Sequence, residues 1–437
     1  MLVRALATTS CFIAILGLAS CGKADHASLD KWTRTEKGPA KIKRAFIDET
    51  VDPDLSAHAG ANLVKLGMDP ELRAGLEQMT PNRRVEVIAK LVPRLWQVAH
   101  LDGEMQMPAP PQVVAKDALL ALRKHADAQT KQIIDGNLID WYGVASYEGR
   151  AQTGAVLGPA VMRIIGPAAA PKLIHVVEGL IAATGKDSKK NRIGDQLLLG
   201  LAATGSPDAL KKLLELAHLK TGDETLPTRA LSAAYKAYVD PGGLFDLVGP
   251  NPLVPNLDAI VAIARDDAMP SAAANDAVKL VRAVGTPGCI APLIGMINHP
   301  HSNPRFKYVA ADSALKCGGI AAIKDVARAL PKGPYQQEEL VGAVVADIGL
   351  MKPRALALAA VRELLTDKSW VARWVAVEAL AAMNSTEDVP RLASVSSGEK
   401  LVGYWGDQTD LDPKERKREP TLGERAKELA ARLTPLK

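Results

Sequence analysis

Two cysteines and two histidines come closest to forming a site by residue type and spacing. Cys289 and Cys317 fall in consecutive helical segments; we favour two small buried thiols, with a disulfide between the segments as the alternative. His299 and His301 flank Pro300, which gives the two rings no helical register for sharing a metal. The chain has no HExxH, CxxC, Gly-x-Ser-x-Gly or phosphate-binding glycine motif. We therefore predict no catalytic residue, no metal and no cofactor.

Cys21 has a different chemical context. It ends the stretch Leu18-Ala19-Ser20-Cys21, which follows a mostly apolar run preceded by Arg4. This arrangement resembles the signal peptide and lipobox of bacterial lipoproteins, in which the cysteine becomes lipid-modified after cleavage. The resemblance implies an exported chain anchored to a membrane through lipidated Cys21, at the outer membrane facing the periplasm or at the cell surface. An ordinary secretory signal with an incidental cysteine is the alternative.

Trp370 and Trp374 form the one aromatic pair that suggests a contact surface. They stand one helical turn apart, so both cannot be equally central in a small core. A partly exposed tryptophan is a favoured anchor for binding, which makes the pair a candidate interaction surface. Packing between repeats is the plainer explanation.

The elements that must position these residues are pairs of short helices. Ser369 to Met383 is apolar at spacings of three and four, the period of a helix. Asn384 tolerates the left-handed conformation that closes a helix, and Ser385 is a good N-cap for the next one. Neither helix can bury its apolar face alone, so the pair needs neighbours.

Weaker copies of this pair recur along the chain, roughly every 30 to 45 residues as two-helix repeats do. The residues predicted to close the first helices are Gly67, Gly166, Gly205, Gly285, Gly319, Gly349 and Asn384. The pattern Arg373-x-x-Ala376-x-x-Ala379-Leu380 resembles HEAT repeats of the armadillo-like superfamily. The resemblance implies an all-α solenoid of stacked antiparallel helix pairs. A non-repetitive helical bundle is the alternative.

Composition agrees with packed helices and excludes some partners. Aromatic residues make up 4% of the 437 residues, fewer than sheets use. The net charge is +5, nearly neutral for a chain of this length. A nucleic-acid surface needs a concentrated basic stripe, so we expect no nucleic-acid partner.

These features divide the chain into four parts and favour one function. The parts are a signal peptide at 1–20, a polar tether at 21–37, a HEAT-like solenoid at 38–395, and an irregular segment with a capping helix at 396–437. We predict a lipid-anchored, non-catalytic scaffold or adaptor that binds unidentified proteins of the bacterial cell envelope, on a concave surface lined by the second helices. The alternatives are an enzyme-accessory or lyase-like HEAT protein and a carrier of a hydrophobic ligand. No small-molecule substrate is evident.

Overall fold

In the part of the chain that it describes, the computed structural model consists of helices joined by turns and irregular segments. That part comprises residues 24–103, 106–184, 193–219, 224–239, 250–332, 337–405, 408 and 410–434. Within it, the only β pairing is an isolated antiparallel bridge between Lys400 and Thr421. The chain divides into two compact units between Val161 and Met162.

In its described residues, the first unit holds eight α-helices and the start of a ninth. They are α1 (His26–Trp32), α2 (Gly38–Ile47), α3 (Pro53–Lys65), α4 (Asp69–Gln78), α5 (Pro81–Ala99), α6 (Pro110–Leu122), α7 (Ala128–Tyr142), α8 (Tyr147–Ala151) and α9 (Gly158–Ile165). Helix α3 is central and packs against α2, α5 and α6. Phe46 of α2 fills the space beside two glycines, because a Cβ at Gly60 or Gly75 would come within 2.9 or 2.7 Å of its ring. Small residues therefore let these helices approach closely around one aromatic ring.

Part of the segment assigned to the tether is folded. Residues 26–32 form α1, which packs against α2 and α3 with Leu29 fully buried. Asp25 caps this helix by accepting a hydrogen bond from the Ser28 backbone N–H at 2.7 Å. The folded body therefore begins earlier than residue 38.

The second unit stacks helix pairs in two layers. Its helices are α10 (Ala170–Thr184), α11 (Asp195–Ala203), α12 (Pro207–His218), α13 (Leu226–Tyr238), α14 (Leu257–Arg265), α15 (Ser271–Ala283), α16 (Ile290–Ile297), α17 (Phe306–Gly318), α18 (Ile323–Ala329), α19 (Gln337–Leu350), α20 (Arg354–Leu364), α21 (Trp370–Ala382), α22 (Val389–Ala393) and α23 (Leu422–Leu433). The first helices pack in chain order, from α11 through α13, α15, α17, α19 and α21 to α23. The second helices form the other layer, in which α12 packs against α10 and α14, and α18 against α16 and α20. The predicted all-α fold of stacked antiparallel helix pairs is confirmed.

The left-handed closing residues also follow the prediction, with one exception. Positive φ angles occur at Gly67 (71°), Gly166 (82°), Gly205 (67°), Gly285 (86°), Gly319 (58°) and Asn384 (49°). Gly349 is different, because it lies inside α19, which continues to Leu350. The prediction that Gly349 closes a helix is therefore wrong.

The irregular segment before α23 is tied at both ends. The Leu401 N–H donates to the Pro420 carbonyl at 2.9 Å, and the Leu422 N–H donates to the Glu399 carbonyl at 2.9 Å. Thr421 and Glu424 form a reciprocal capping box at the start of α23. Helix α23 then packs against α21 and α22, where it covers the last helix pair.

Candidate functional site

The two tryptophans occupy unequal positions on α21. Trp374 is 1% exposed and Trp370 is half-buried. Their rings are nearly parallel, with centroids 6.3 Å apart. The Trp374 indole N–H donates to Glu378, one turn further along α21, at 3.2 Å. Trp374 is therefore a packed wall, and Trp370 presents the accessible part of the pair.

Glu378 joins α21 to the last helix. Arg425 of α23 donates to both carboxylate oxygens of Glu378, at 2.7 and 3.0 Å. Its guanidinium lies 5.3 Å from the ring centroid of Tyr404, and that ring lies 6.0 Å from Trp374. Burial opposes the charged form, but hydrogen bonds to Glu378 and Glu428 outweigh it and raise the pKa of Arg425. The pair is a fixed, bidentate ion pair rather than a mobile surface contact.

Around this ion pair lies a groove formed by α19, α21 and α23, which we call the C-terminal groove. It consists of two adjoining clefts of about 380 and 260 Å³, which share Val345, Glu378 and Arg425. The larger cleft is lined by Glu339, Val341, Gly342, Val345, Trp374, Glu378, Tyr404 and Arg425. This volume suits a few side chains of a bound segment.

Gly342 keeps one side of this groove open. It lies in α19, and a Cβ built there meets no atom within 4 Å. Glu339, one turn earlier on α19, accepts a hydrogen bond from the Tyr308 hydroxyl at 3.1 Å. The groove is thus apolar along α19 and α21, with carboxylates at its edge and beside Arg425.

A second, more open groove of about 570 Å³ lies on the layer of second helices. Its lining includes Ile290 and Ile294 of α16 and Asp325 and Arg328 of α18. Arg328 donates to Asp367 at 2.7 Å. The two clefts of the C-terminal groove are more enclosed than this one and lie on the first helices. The sequence predicted binding on the second helices instead.

Cys289 and Cys317 are brought together. Cys289 is the N-cap of α16, Cys317 lies in the last turn of α17, and their Cα atoms are 6.6 Å apart. This separation falls within the range that a disulfide spans, and the structure pairs the two sulfurs. The pairing links two consecutive helix pairs.

His299 and His301 do not converge on a shared point. His299 lies 3.1 Å from the Arg265 carbonyl, whereas the His301 ring stacks on Phe306 and faces Asp267 at 3.2 Å. Among the described residues, no group of three or more His, Cys, Asp or Glu side chains is placed to hold a metal ion.

The predicted lipidation site, Cys21, lies outside the described residues, as does the whole signal segment. Within the described part, no single helix has the length and apolarity to cross a membrane. One bent pair, Gly158–Ile165 with Pro167–Ala183, passes the same test by length and composition.

Sequence reasoning missed most of the groove. The partners Glu378 and Arg425 are separated by 47 residues, and neither belongs to a recognisable motif. A weak signal was present in the spacing of Trp374 and Glu378, which places an indole N–H beside a carboxylate on one face of a helix. Gly342 carried no signal, because a helical glycine beside open space looks like any other weak helix position.

Comparison with known proteins assigns no family. No family model and no curated protein matches the chain. The structure of human deoxyhypusine hydroxylase with glycerol is 17% identical, covers 68% of this chain and 98% of its own, and has a TM-score of 0.22. The crystal structure of an engineered protein is 14% identical to this chain. The match covers 94% of this chain and 99% of the engineered one, and has a TM-score of 0.26. Likenesses this weak transfer no function. The chain is an all-α helical-repeat protein.

The prediction that the chain is not an enzyme does not stand: a solved structure to which the chain is similar is by name a hydroxylase, and its TM-score of 0.22 assigns no activity to this chain. The prediction rested on missing contiguous motifs. A stack of helices brings together side chains that are distant in sequence, as Glu378 and Arg425 are, so missing motifs do not exclude catalysis. We therefore withdraw the non-catalytic part of the prediction.

Proposed function

We propose that the chain is a lipid-anchored helical-repeat scaffold of the bacterial cell envelope that holds a segment of a partner protein in the C-terminal groove. The observation that carries this proposal is the groove itself, with its apolar wall and its fixed ion pair. Stacked helices offer a long preformed surface, so little ordering is needed when a partner binds.

The groove suits a protein segment better than a single small ligand. It is open along its length through two adjoining clefts, and its apolar lining from Val341, Val345 and Trp374 alternates with charged groups. An apolar side chain of the bound segment beside Trp374 and a polar side chain of that segment near Glu339 would both meet complementary surface.

The anchoring part of the proposal rests on the sequence around Cys21. Four residues, Gly22 to Asp25, separate Cys21 from α1, so the folded body would begin close to the lipid-modified residue. Several acyl chains on one cysteine hold a soluble body stably, whereas one chain is marginal. We place the protein at the outer membrane, facing the periplasm or the cell surface.

The groove is tested by filling it. Gly342→Trp places a large side chain in open space on α19, and Gly179→Trp does the same on α10, where a Cβ also meets no atom within 4 Å. After crosslinking in cells, we expect wild type and Gly179→Trp to recover the same partner in stoichiometric amount. Gly342→Trp should reduce that recovery by about tenfold or more, because the groove is blocked.

Equal recovery with both tryptophan variants contradicts the groove as the binding site. Recovery of no protein, with lipid co-purifying instead, contradicts the scaffold and favours the hydrophobic-ligand carrier. Circular dichroism and thermal unfolding of both variants verify that the fold is intact.

The anchor is tested separately with Cys21→Ala. We expect the wild-type chain to take up a labelled fatty acid and to sediment with membranes, and the variant to do neither. Membrane association that persists in the variant, together with no acyl label in the wild type, excludes the lipoprotein assignment.

A further inference from the structure

Four titratable side chains form a row where α1 meets α3. His26 of α1 and His58 of α3 face each other with 2.8 Å between their Nδ1 atoms. At one end of the row, His58 Nε2 lies 2.8 Å from Asp30; at the other, His26 Nε2 lies 3.4 Å from Asp54. The order Asp54–His26–His58–Asp30 therefore places two adjacent imidazoles between two carboxylates across the contact between the two helices.

The two imidazoles meet head-on. Their centroids are 5.1 Å apart and their planes differ by 27°. The centroid distance is close to the sum of the 2.8 Å between the Nδ1 atoms and the radii of the two rings. These nitrogens therefore lie close to the line that joins the centroids. A metal ion on this line would need its two nitrogens about 4 Å apart, since each metal–nitrogen bond is about 2 Å. The geometry fits a hydrogen bond, with one proton between the nitrogens.

The carboxylates decide where the other ring protons sit. Hydrogen bonds from Arg94 hold the pKa of Asp54 below its usual range. Burial alone would raise the pKa of Asp30, but hydrogen bonds from Asn62 and His58 outweigh it and lower that pKa. Because Asp30 is ionised, His58 Nε2 must carry a hydrogen and donate to it. His58 Nδ1 then accepts, as long as His58 is neutral.

Burial favours this neutral state. The side chain of His58 is only 11% exposed, and its burial is the main cause that lowers its pKa from 6.5. The charged groups that face the row from the packed helices are Asp25, Asp30, Asp54, Lys65, Lys90 and Arg94. Asp30 favours protonated His58, whereas Arg94 and His26 oppose it.

We propose that this row is an acid-released latch, in which protonation of both imidazoles puts two protons between the facing nitrogens and frees α1 from α3. The latch needs one proton in that gap. A second proton turns the acceptor into a donor, so the hydrogen bond is replaced by repulsion between two cations at contact distance.

The direction of the pH effect follows from linkage. When α1 is detached, His58 is exposed and binds a proton near its ordinary pKa of 6.5; when α1 is docked, the pKa is lower. The docked state is therefore fully favoured above pH 6.5 and loses that advantage as the pH falls below it. Asp30 and Asp54 have pKa values below 3.8, so pH 5.5 isolates the histidine effect.

Hydrogen exchange on the full chain tests the latch. The amides of residues 26–32 should exchange about tenfold faster at pH 5.5 than at pH 7.5, after correction for intrinsic rates. In His26→Asn, a neutral amide replaces the titratable donor, and the acid-induced change should fall to less than about a third of that in wild type. His125→Asn is the matched control, because His125 is also a partly buried histidine of the first unit, paired with Glu77 at 3.2 Å, and lies outside the row.

Three results would overturn the proposal: full exchange of residues 26–32 already at pH 7.5, equal protection at both pH values, or the same pH response in wild type and His26→Asn. Peptides from α3 and α5 report whether the unit stays folded in each variant. The local readout therefore separates release of α1 from general unfolding.

Discussion

The two units bury their charged side chains in opposite ways. In the first unit the fully buried charges include the cations Lys116 and Arg150, which are 0% and 2% exposed. In the second unit the fully buried charge among the described residues is an anion, Asp388, at 0%. The buried cations and the buried anion contact different parts of the structure.

The buried cations of the first unit hold irregular backbone. Lys116 donates to Asp117 at 2.5 Å and to the carbonyls of Thr153 and Val156, both at 3.3 Å. Arg150 donates to the carbonyl of Trp141 at 2.7 Å. These carbonyls lie at a helix end and in a loop, where no neighbouring turn supplies a donor.

The buried anion of the second unit joins neighbouring helix pairs. Asp388 precedes α22 and accepts from Arg362 of α20 at 2.8 to 3.0 Å, from Ser385 at 2.6 Å and from Arg391 at 2.5 Å. Regular repeats have short turns, so the charge is used between pairs rather than within a loop. In this helical stack, irregular stretches of backbone therefore depend on single buried donors for their hydrogen bonds.

The largest effect is expected at Lys116. Lys116→Met removes the donor from the loop carbonyls and leaves Asp117 without its charged partner, so we expect the first unit to lose roughly 3–5 kcal/mol of unfolding free energy. Hydrogen exchange of peptides from α6 and α7 in increasing urea measures this loss. Lys124→Met is the control, since that side chain is 69% exposed, and it should cost less than about 1 kcal/mol. Similar losses in both variants would remove the contrast between the units.

The next prediction is that a disulfide between Cys289 and Cys317 also holds the second unit together. A non-reducing peptide map should recover the two cysteine peptides joined. Reduction should then lower the unfolding free energy of the second unit by roughly 2–4 kcal/mol, because the reduced unfolded chain is less restrained. Alkylation of both thiols in unfolded, unreduced protein would show instead that they are free.

A smaller effect is expected at Asp388. Asp388→Asn removes the charge that Arg362 and Arg391 contact, and should cost roughly 1.5–3 kcal/mol at neutral pH. The loss is smaller than for Lys116 because both arginines reach solvent, with side chains 28% and 55% exposed. Glu387→Gln is the control, because Glu387 is 66% exposed and also contacts Arg362. It should change stability by less than about 1 kcal/mol.

The pH dependence sharpens this prediction. Burial alone would raise the pKa of Asp388, but hydrogen bonds from Arg362, Ser385 and Arg391 outweigh it and lower the pKa below 3.8. The contribution of Asp388 is therefore complete above pH 3.8 and is lost as the pH falls through the lower, folded-state value. Urea unfolding at pH 3 and pH 6 should show a smaller difference between wild type and Asp388→Asn at pH 3. A difference that grows at pH 3 would contradict this assignment.

The sequence predicted local features that depend on neighbouring residues. Asn384 closes α21 with a positive φ, and Ser385 starts the turn that leads into α22, because these features depend only on adjacent residues. The prediction failed where two local signals compete. Gly349 follows an apolar residue, which favours a helix end, yet α19 continues through it to Leu350.

Features that need distant partners were beyond sequence reasoning. Nothing in the sequence joins Arg425 to Glu378, or His26 to His58, because these contacts form only after the helices have stacked. Lys116 looks like an ordinary solvated lysine on a helix until the loop folds over it. The repeat pattern therefore predicted the fold, whereas the sites depend on tertiary packing.

In the second unit, helices pack against near neighbours along the chain, and this sets the order in which the helices can dock during synthesis. Helices that contact only their neighbours can dock one after another as the chain emerges, beginning at the N-terminal side. Tyr404 and Arg425 arrive last, and they complete a groove whose other wall, α19 and α21, has already docked. A chain interrupted before residue 401 would build the stack but no groove. The proposed binding groove is therefore complete only once α23 has docked.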